Sequence, residues 1–362
     1  MKMNPVSLLR SIYRKRSEVR NVNRLRRYIL GCSLPAMQKI SLSSLTKQEY
    51  RAIESIWGKI GLKPYSHFYQ LFKTIDHFDP LYLSDDLYYP VIVQALNPKR
   101  YIYAFSHKGH FPVLFGGIRQ PALVALSNGG IIFNSDFDII SGADAIELLQ
   151  QRKMFIIKPT VNTSGGKGVK LVNDVSDEDV QSLLREYGDN WIAQEIVEQS
   201  AETAQFNDTS LNTFRITTLF INGRVTTQSI IFKTGSTGSV VDNLSSGGVL
   251  IGVSKDGELR NFGINNEFCK CDKTASGMTL NGIKFKEVPT MVEQMEYYHR
   301  RYLPSLGIVG WDVALDISGQ PIVIEANLIN PGILFEQLAI TTPIFGERTE
   351  EVVQYVVNRK LR

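Results

Sequence analysis

Cysteine is scarce: Cys32 stands alone, and Cys269 and Cys271 are separated by one residue, an arrangement that cannot staple a secreted domain. A reducing cytoplasm is the expected setting. Cys269 and Cys271 offer two thiolates of a metal site, but no second pair or nearby histidine completes four ligands, so ordinary loop or strand cysteines are expected. The five histidines, His67, His77, His107, His110 and His299, show no metal-ligand spacing either. Long apolar runs are missing. The greasiest stretch, 113–133, is broken by Gly116, Gly117, Arg119, Gln120 and Gly129, so no membrane-spanning helix is expected. The basic N-terminus lacks the apolar core and small-residue cleavage site of a signal peptide, and nothing is expected to be cleaved off. Repeats and low-complexity segments are absent, and a composition of 43% hydrophobic and 21% charged residues excludes wholesale disorder and fibrous classes.

An excess of one charge is also lacking, since 40 basic against 36 acidic residues leave +4, too little to suggest nucleic-acid binding. The distribution is uneven. Residues 1–30 hold nine basic residues (Lys2, Arg10, Arg14, Lys15, Arg16, Arg20, Arg24, Arg26 and Arg27) and one acid, Glu18, so a +8 arm precedes a −4 body. Val6, Leu9, Ile12, Tyr13, Val19, Val22, Leu25, Tyr28 and Ile29 recur among the arginines at spacings near three and four, which predicts one or two basic amphipathic helices. Two readings fit: peripheral contact with the anionic inner face of the plasma membrane, or a helix packed on its own domain with a solvated basic face.

Residues 31–105 read as helix-rich, with Thr46 and Glu49 spaced as a capping box before a helical run over 44–63. From 111 onward short apolar runs alternate with glycine and turn residues, which predicts strands. Helices are expected at 142–152, at 176–187 behind an N-cap Ser176, at 288–303 and at 346–360. Asn222-Gly223 and Ser318-Gly319 read as hairpin turns.

Three clusters carry chemistry. The strand Phe155-Ile156-Ile157-Lys158-Pro159 leads into Ser164-Gly165-Gly166-Lys167-Gly168, a lysine followed by exposed backbone N–H groups, which suits a nucleotide's phosphates but lacks Walker A spacing. Asp312 lies thirteen residues before Glu325, and Glu325 and Asn327 alternate onto one strand face. Two carboxylates and an amide oxygen suit Mg²⁺, and such acids among apolar neighbours need a positive partner. Asn212 and Arg215 stand at the start of an apolar strand, where a guanidinium fork can hold a phosphoryl or carboxylate group; a structural arginine is the alternative.

The ordered set FIIKP, SGGKGV, QEIV, NTFRI and GWDVAL…IVIEAN resembles an ATP-grasp fold, with Asp, Glu and Asn spaced as in the D-alanine–D-alanine ligase branch. More narrowly, LNTFRITTL, the stretch Val241–Gly248 and Gly310-Trp311-Asp312 resemble the sugar-transfer associated ATP-grasp family over roughly residues 100–340. The resemblance implies an α+β fold in which two α+β lobes clasp ATP, preceded by a helix-rich N-terminal region. The implied segments are an arm at 1–30, a helical region at 31–105, a first lobe at 106–197 and a second at 198–362. Lys158 and Lys108 match the two ATP-grasp lysines, Ser164, Gly165, Gly166, Lys167 and Gly168 the phosphate-covering loop, and Glu195 and Val197 the adenine hinge. The ribose carboxylate is either Glu198 or Glu202, with Glu202 taken forward, and Lys233 is a phosphate contact. Asp312, Glu325 and Asn327 match the metal ligands, while Asn212, Arg215, Asn243, Gly247 and Gly248 fall on the substrate side. One departure stands out: the ligase branch carries an arginine two residues before the metal aspartate, where this chain has Gly310, and Arg215 is expected to supply that charge.

The implied activity is ATP- and Mg²⁺-dependent ligation of a carboxylate to an amine through an acylphosphate, with Arg215 and Lys158 as catalytic cations. Surface polysaccharide or capsule synthesis is the implied setting, for example an amino acid joined to a uronic acid. Two alternatives stay open: an ATP-dependent small-molecule or sugar kinase, and a non-catalytic ATP-binding partner of a glycan-synthesis complex.

Overall fold

The computed structural model describes residues 5–161, 166–173, 176–236, 238, 242, 244, 247–329 and 331–360; of these, the side chains of residues 5–16, 18, 104, 177 and 360 are not described. The chain divides into two compact units, Met1–Pro98 with Gly332–Arg362, and Lys99–Pro331.

The first unit is helical. A single helix, Pro5–Met37, occupies the basic arm and continues past residue 30. Val22, Leu25, Arg26, Ile29 and Leu30 are partly buried, whereas Val19, Arg20, Arg24, Arg27 and Tyr28 are exposed, the two-faced pattern of a packed helix. Arg26 fastens the inward face: its Nε and Nη2 donate to Asp86 Oδ2 at 3.1 and 2.5 Å, and Nη2 donates to the Lys63 carbonyl at 2.6 Å. The expected capping box is present on the helix Lys47–Trp57, where Glu49 N–H donates to Thr46 Oγ1 and Thr46 N–H to Glu49 Oε2. Gln337 ties the C-terminal segment into this unit by bonding both the N–H and the carbonyl of Leu83 and accepting from Ile344 N–H. Lys59 pairs with Glu350 on the helix Thr349–Lys360. Residues 332–362 therefore group with the N-terminal helices, and the expected 198–362 segment divides after Pro331.

Among the described residues the second unit holds two antiparallel sheets. The first, in the order β3-β2-β1-β6-β4-β5, contains β1 (Leu123–Asn128), β2 (Ile131–Asn134), β3 (Ile139–Ile140), β4 (Met154–Pro159), β5 (Lys170–Asn173) and β6 (Asn190–Gln194). Helices Gly142–Gln150 and Asp177–Tyr187, both opened by Ser-Asp capping boxes, cover one face and bury Leu149 and Val180 against Phe155, Ile157 and Trp191. The second sheet, in the order β11-β10-β9-β8-β7-β12-β13, contains β7 (Thr213–Ile221), β8 (Arg224–Thr234), β9 (Val249–Val253), β10 (Leu259–Ile264), β11 (Lys270–Cys271), β12 (Ile308–Leu315) and β13 (Pro321–Asn327). Asn222 and Gly223 turn β7 into β8 with positive φ at both, as a tight hairpin requires. Phe214, Ile216, Phe232, Trp311 and Val313 face the helix Val288–Tyr302 and its Met291 and Met295. His299 on that helix is buried: its Nε2–H donates to the Leu306 carbonyl, and Nδ1 accepts from the Thr218 hydroxyl, which in turn accepts from Trp311 Nε1–H. Burial lowers its pKa to about 4.

Candidate active site

Strand alternation sends Phe214, Ile216 and Trp311 into the core and leaves Thr213, Arg215 and Asp312 on the opposite face. Cross-strand register builds the rest: Asp312 is opposite Arg215 on β7 and opposite Glu325 on β13, Asn327 is opposite Gly310, and Lys233 on β8 is opposite Thr213. Strict alternation along β13 would give Glu325 the same face as the core residue Val323. A bulge prevents this, because Ile324 is an extra residue between the pairs Asp312–Glu325 and Val313–Val323, and it re-aims Glu325 and Asn327.

Asp312 is the hub of this face. Its Oδ1 meets Arg215 Nε at 2.6 Å and Lys233 Nζ at 3.3 Å, and its Oδ2 meets Arg215 Nη2 at 2.9 Å and Asn327 Nδ2 at 3.2 Å. Burial would raise the Asp312 carboxyl, but Arg215 and Lys233 outweigh it and hold the group well below the usual carboxylate range. Lys233 also approaches buried Asp242 at 3.4 Å, and Asp242 accepts from the Thr213 hydroxyl. Burial pushes Asp242 up. Glu325 meets Lys108 Nζ at 3.4 Å.

The six-stranded sheet supplies Lys158 from β4, whose ammonium is pulled down to about 8 by burial and by Lys108, with Glu325 opposing. β6 ends at Gln194, and the irregular segment Glu195–Glu198 follows, with Glu195 N–H donating to the Ala122 carbonyl and its side chain pairing with Arg152 at 2.8 Å. Between β4 and β5 the described turn Gly166–Val169 is closed by a 3.1 Å bond from Val169 N–H to the Gly166 carbonyl.

A cleft of about 410 Å³ gathers these groups, a size typical of small-ligand sites. Its walls include the expected Lys108, Lys158, Gly166, Glu195, Val197, Lys233, Asp312 and Glu325. Met154, Ile156, Val169, Leu171 and Ile324 give it an apolar side. Arg215 and Asn327 reach it through Asp312 rather than as lining residues.

Several expectations change. Glu198 lines the cleft, whereas Glu202 is exposed on the short helix Ala201–Ala204, which starts after the chain has turned away. Asn212 is a scaffold residue: fully buried, it donates through Nδ2 to Gln199 Oε1 and to the Thr203 and Asn207 carbonyls, fixing the 199–210 loop at the foot of β7. Lys167, Gly168, Gly247 and Gly248 are not among the lining residues. Ser164, Gly165 and Asn243 lie outside the described residues. Sequence reasoning missed Asp242, Thr213 and Gln199. The alternation of Thr213 with Arg215 was a signal for the second of these; Asp242 lies in the Val241–Gly248 stretch that carries the family resemblance, which gave it no role of its own. Gly310 explains the departure at its position: a Cβ there would lie 3.2 Å from Arg215 Cδ and 3.3 Å from Pro331 Cβ, so the Arg215 side chain uses the space. Among the described residues there is no group of three or more His, Cys, Asp or Glu that could hold a metal ion.

Two antiparallel sheets that aim lysines, a glycine turn and paired carboxylates into one cleft define an ATP-grasp protein. The chain belongs to the sugar-transfer associated ATP-grasp family, whose profile matches residues 88–353. A comparison with the curated proteins gave no match. Solved structures it is similar to include the D-cycloserine synthetase DcsG, at 14% identity over 73% of each chain with a TM-score of 0.44. The L-amino acid ligase from Bacillus licheniformis is 15% identical over 70% of this chain and 48% of its own, with a TM-score of 0.41. The D-alanyl-alanine synthetase A from Vibrio cholerae O1 biovar eltor is 13% identical over 74% of this chain and 66% of its own, with a TM-score of 0.42. The chain thus spans about half the length of the amino acid ligase.

Proposed function

We propose that the chain is an ATP-dependent ligase joining a carboxylate to an amine through an acylphosphate, with release of ADP and phosphate. The observation that carries this reading is the row Lys233, Arg215, Asp312 and Glu325 on one sheet face, set beside Lys108 and Lys158 at a single cleft. The apolar wall of Met154, Ile156, Val169 and Leu171 suits an adenine ring, and the Val197 N–H, without a hydrogen-bond partner among the described residues, suits its edge. Glu198 replaces Glu202 as the ribose carboxylate.

Asp312, Glu325 and Asn327 fit Mg²⁺ as a hard, all-oxygen donor set. Chain donors already engage both Asp312 oxygens, so metal ligation there requires at least one of them to move and Asn327 to present its carbonyl oxygen instead of its amide nitrogen. When bound, Mg²⁺ spreads the negative charge that develops on the transferred phosphoryl group. Lys158 and Arg215 place fixed positive charge at the same end of the cleft, and Lys233 adds a third cation held by Asp242. Positioning and electrostatics suffice for phosphoryl transfer, which is why no Ser-His-Asp set is needed. The carboxylate oxygen attacks the γ-phosphorus as ADP leaves; the amine then attacks the acyl carbon as phosphate leaves, giving the amide.

The family's association with sugar transfer supports surface polysaccharide or capsule synthesis as the setting, with a uronic acid carboxyl and an amino acid as the pair. The exposed Arg20, Arg24 and Arg27, flanked by Val19 and Tyr28, support peripheral contact with anionic membrane from a cytoplasmic location. No helix among the described residues is long and apolar enough to cross a membrane. Incubation with Mg-ATP, pooled amino acids and uronic-acid glycans tests the activity: amide product with ADP and phosphate is expected. ADP with a phosphorylated product and no amide would make the chain a kinase, and ATP binding without turnover a binding partner. Vesicles of anionic phospholipid at low salt test the arm, whose removal is expected to abolish binding.

A further inference from the structure

The helix Asp177–Tyr187 ends beside the glycine turn, and its last residue reaches that turn directly: Tyr187 Oη–H donates to the Gly168 carbonyl at 2.6 Å. Gly168 has φ +73°, and a Cβ there would lie 2.9 Å from Pro159 Cγ, so the backbone is pressed against the end of β4 and admits only glycine. The turn is closed on its other side by Val169 N–H to the Gly166 carbonyl, and Gly166 and Val169 line the cleft while Tyr187 does not. The tyrosine ring is itself held: Lys170 pairs with Glu186 at 2.7 Å and places its ammonium 5.8 Å from the ring centre. Burial, with Glu186 adding to it, pushes the phenol up to about 12, so it remains a hydrogen-bond donor at every working pH.

We infer that Tyr187 is a positioning residue for the nucleotide: through the Gly168 carbonyl it fixes the exit of the glycine turn, so that the turn's backbone N–H groups meet the terminal phosphates of ATP without having to be ordered on binding. This rests on reading the cleft as the ATP site. A donor that orders backbone in advance contributes to affinity by cutting the ordering cost, and its loss is felt only by ligands that touch the ordered segment. On that reading the base and ribose are held mainly by Met154, Ile156, Leu171 and Glu195–Glu198, and the turn joins the adenine wall only through its last residue, Val169.

Isothermal titration calorimetry of the full chain with AMP-PNP and Mg²⁺, and with AMP by competition, tests the inference on wild type, Tyr187→Phe and Gly168→Ala, with thermal melting to confirm folding. Tyr187→Phe is expected to weaken AMP-PNP by about 3–10-fold, the scale of one lost hydrogen bond, and to leave AMP within about 2-fold. Gly168→Ala is expected to lose more for AMP-PNP, again sparing AMP. An equal loss for both nucleotides would make Tyr187 a general support of the lobe, and no loss for either would make its bond incidental; both overturn the inference. Wild type binding neither nucleotide would overturn the ATP-site reading together with it.

Discussion

The two sheets that meet at the cleft contribute by different means. The seven-stranded sheet supplies side chains: Lys233, Arg215, Asp312, Glu325 and Asn327 come from four neighbouring strands, and register fixes each against the next. The six-stranded sheet supplies one strand lysine, Lys158, an apolar wall of Met154, Ile156 and Leu171, and the connections that leave its strands, Gly166–Val169 and Glu195–Glu198. Groups that must hold concentrated charge sit on strands whose backbones cannot shift. Under the proposed function, the contrast gives chemistry to one sheet and grip on the nucleotide to the other.

Variants of the chemistry sheet break this division most severely if it is right. Glu325→Gln is expected to lower turnover at least about 10³-fold with thermal melting close to wild type, as loss of a proposed metal ligand should; Asp312→Asn is expected to lower turnover as far and to lower the melting temperature as well, because it leaves Arg215 and Lys233 without their carboxylate. An active double variant would remove the metal assignment. On the other sheet, Lys158→Met is expected to cost about 10²-fold in kcat/KM, with KM for ATP carrying a share that the Asp312 variant does not show.

Buried acids in the two units sharpen the comparison. Asp312 is held ionised by Arg215 and Lys233, whereas in the helical unit burial and the neighbouring charge of Asp86 push Asp85 up to about 7 from 3.8. The folded state therefore keeps the Asp85 proton up to about pH 7 while the unfolded chain releases it near 3.8, so stability from this group falls as pH rises between those values. Asp85→Asn should raise unfolding stability by roughly 2–4 kcal/mol at pH 8 and by little at pH 4, measured by urea denaturation at both. The smallest contrast expected is within the hinge: Glu198→Gln weakens ATP several-fold, and Glu202→Gln leaves it unchanged, read by calorimetry.

Local signals made much of the fold legible. The Thr46–Glu49 capping box, the N-cap Ser176, the Asn222-Gly223 turn and the Ser318-Gly319 hairpin each act within a few residues, and each appears where the pattern placed it. That Asp312, Glu325 and Asn327 share one hairpin was legible for the same reason, because spacings of thirteen and two are local. What escaped depends on partners distant in sequence or on irregular backbone. Asn212 looked like a substrate contact beside Arg215, but its amide is used by the 199–207 loop, and nothing in its own strand reports that loop's path. The bulge at Ile324 has no glycine to announce it. That Glu198 lines the cleft and Glu202 does not depends on where the chain turns into the helix Ala201–Ala204, and the grouping of residues 332–362 with the N-terminal helices rests on Gln337 meeting Leu83, far away in the chain.

The most direct test of the central claim is metal binding itself, read as Mn²⁺ electron paramagnetic resonance in the presence of AMP-PNP. Wild type is expected to immobilise Mn²⁺ with the nucleotide, and the Asp312→Asn, Glu325→Gln double variant to lose the protein-bound signal while calorimetry still detects the adenine end of the ligand. An unchanged Mn²⁺ signal in the double variant would contradict the account, because it would place the metal somewhere other than the carboxylate face of the seven-stranded sheet.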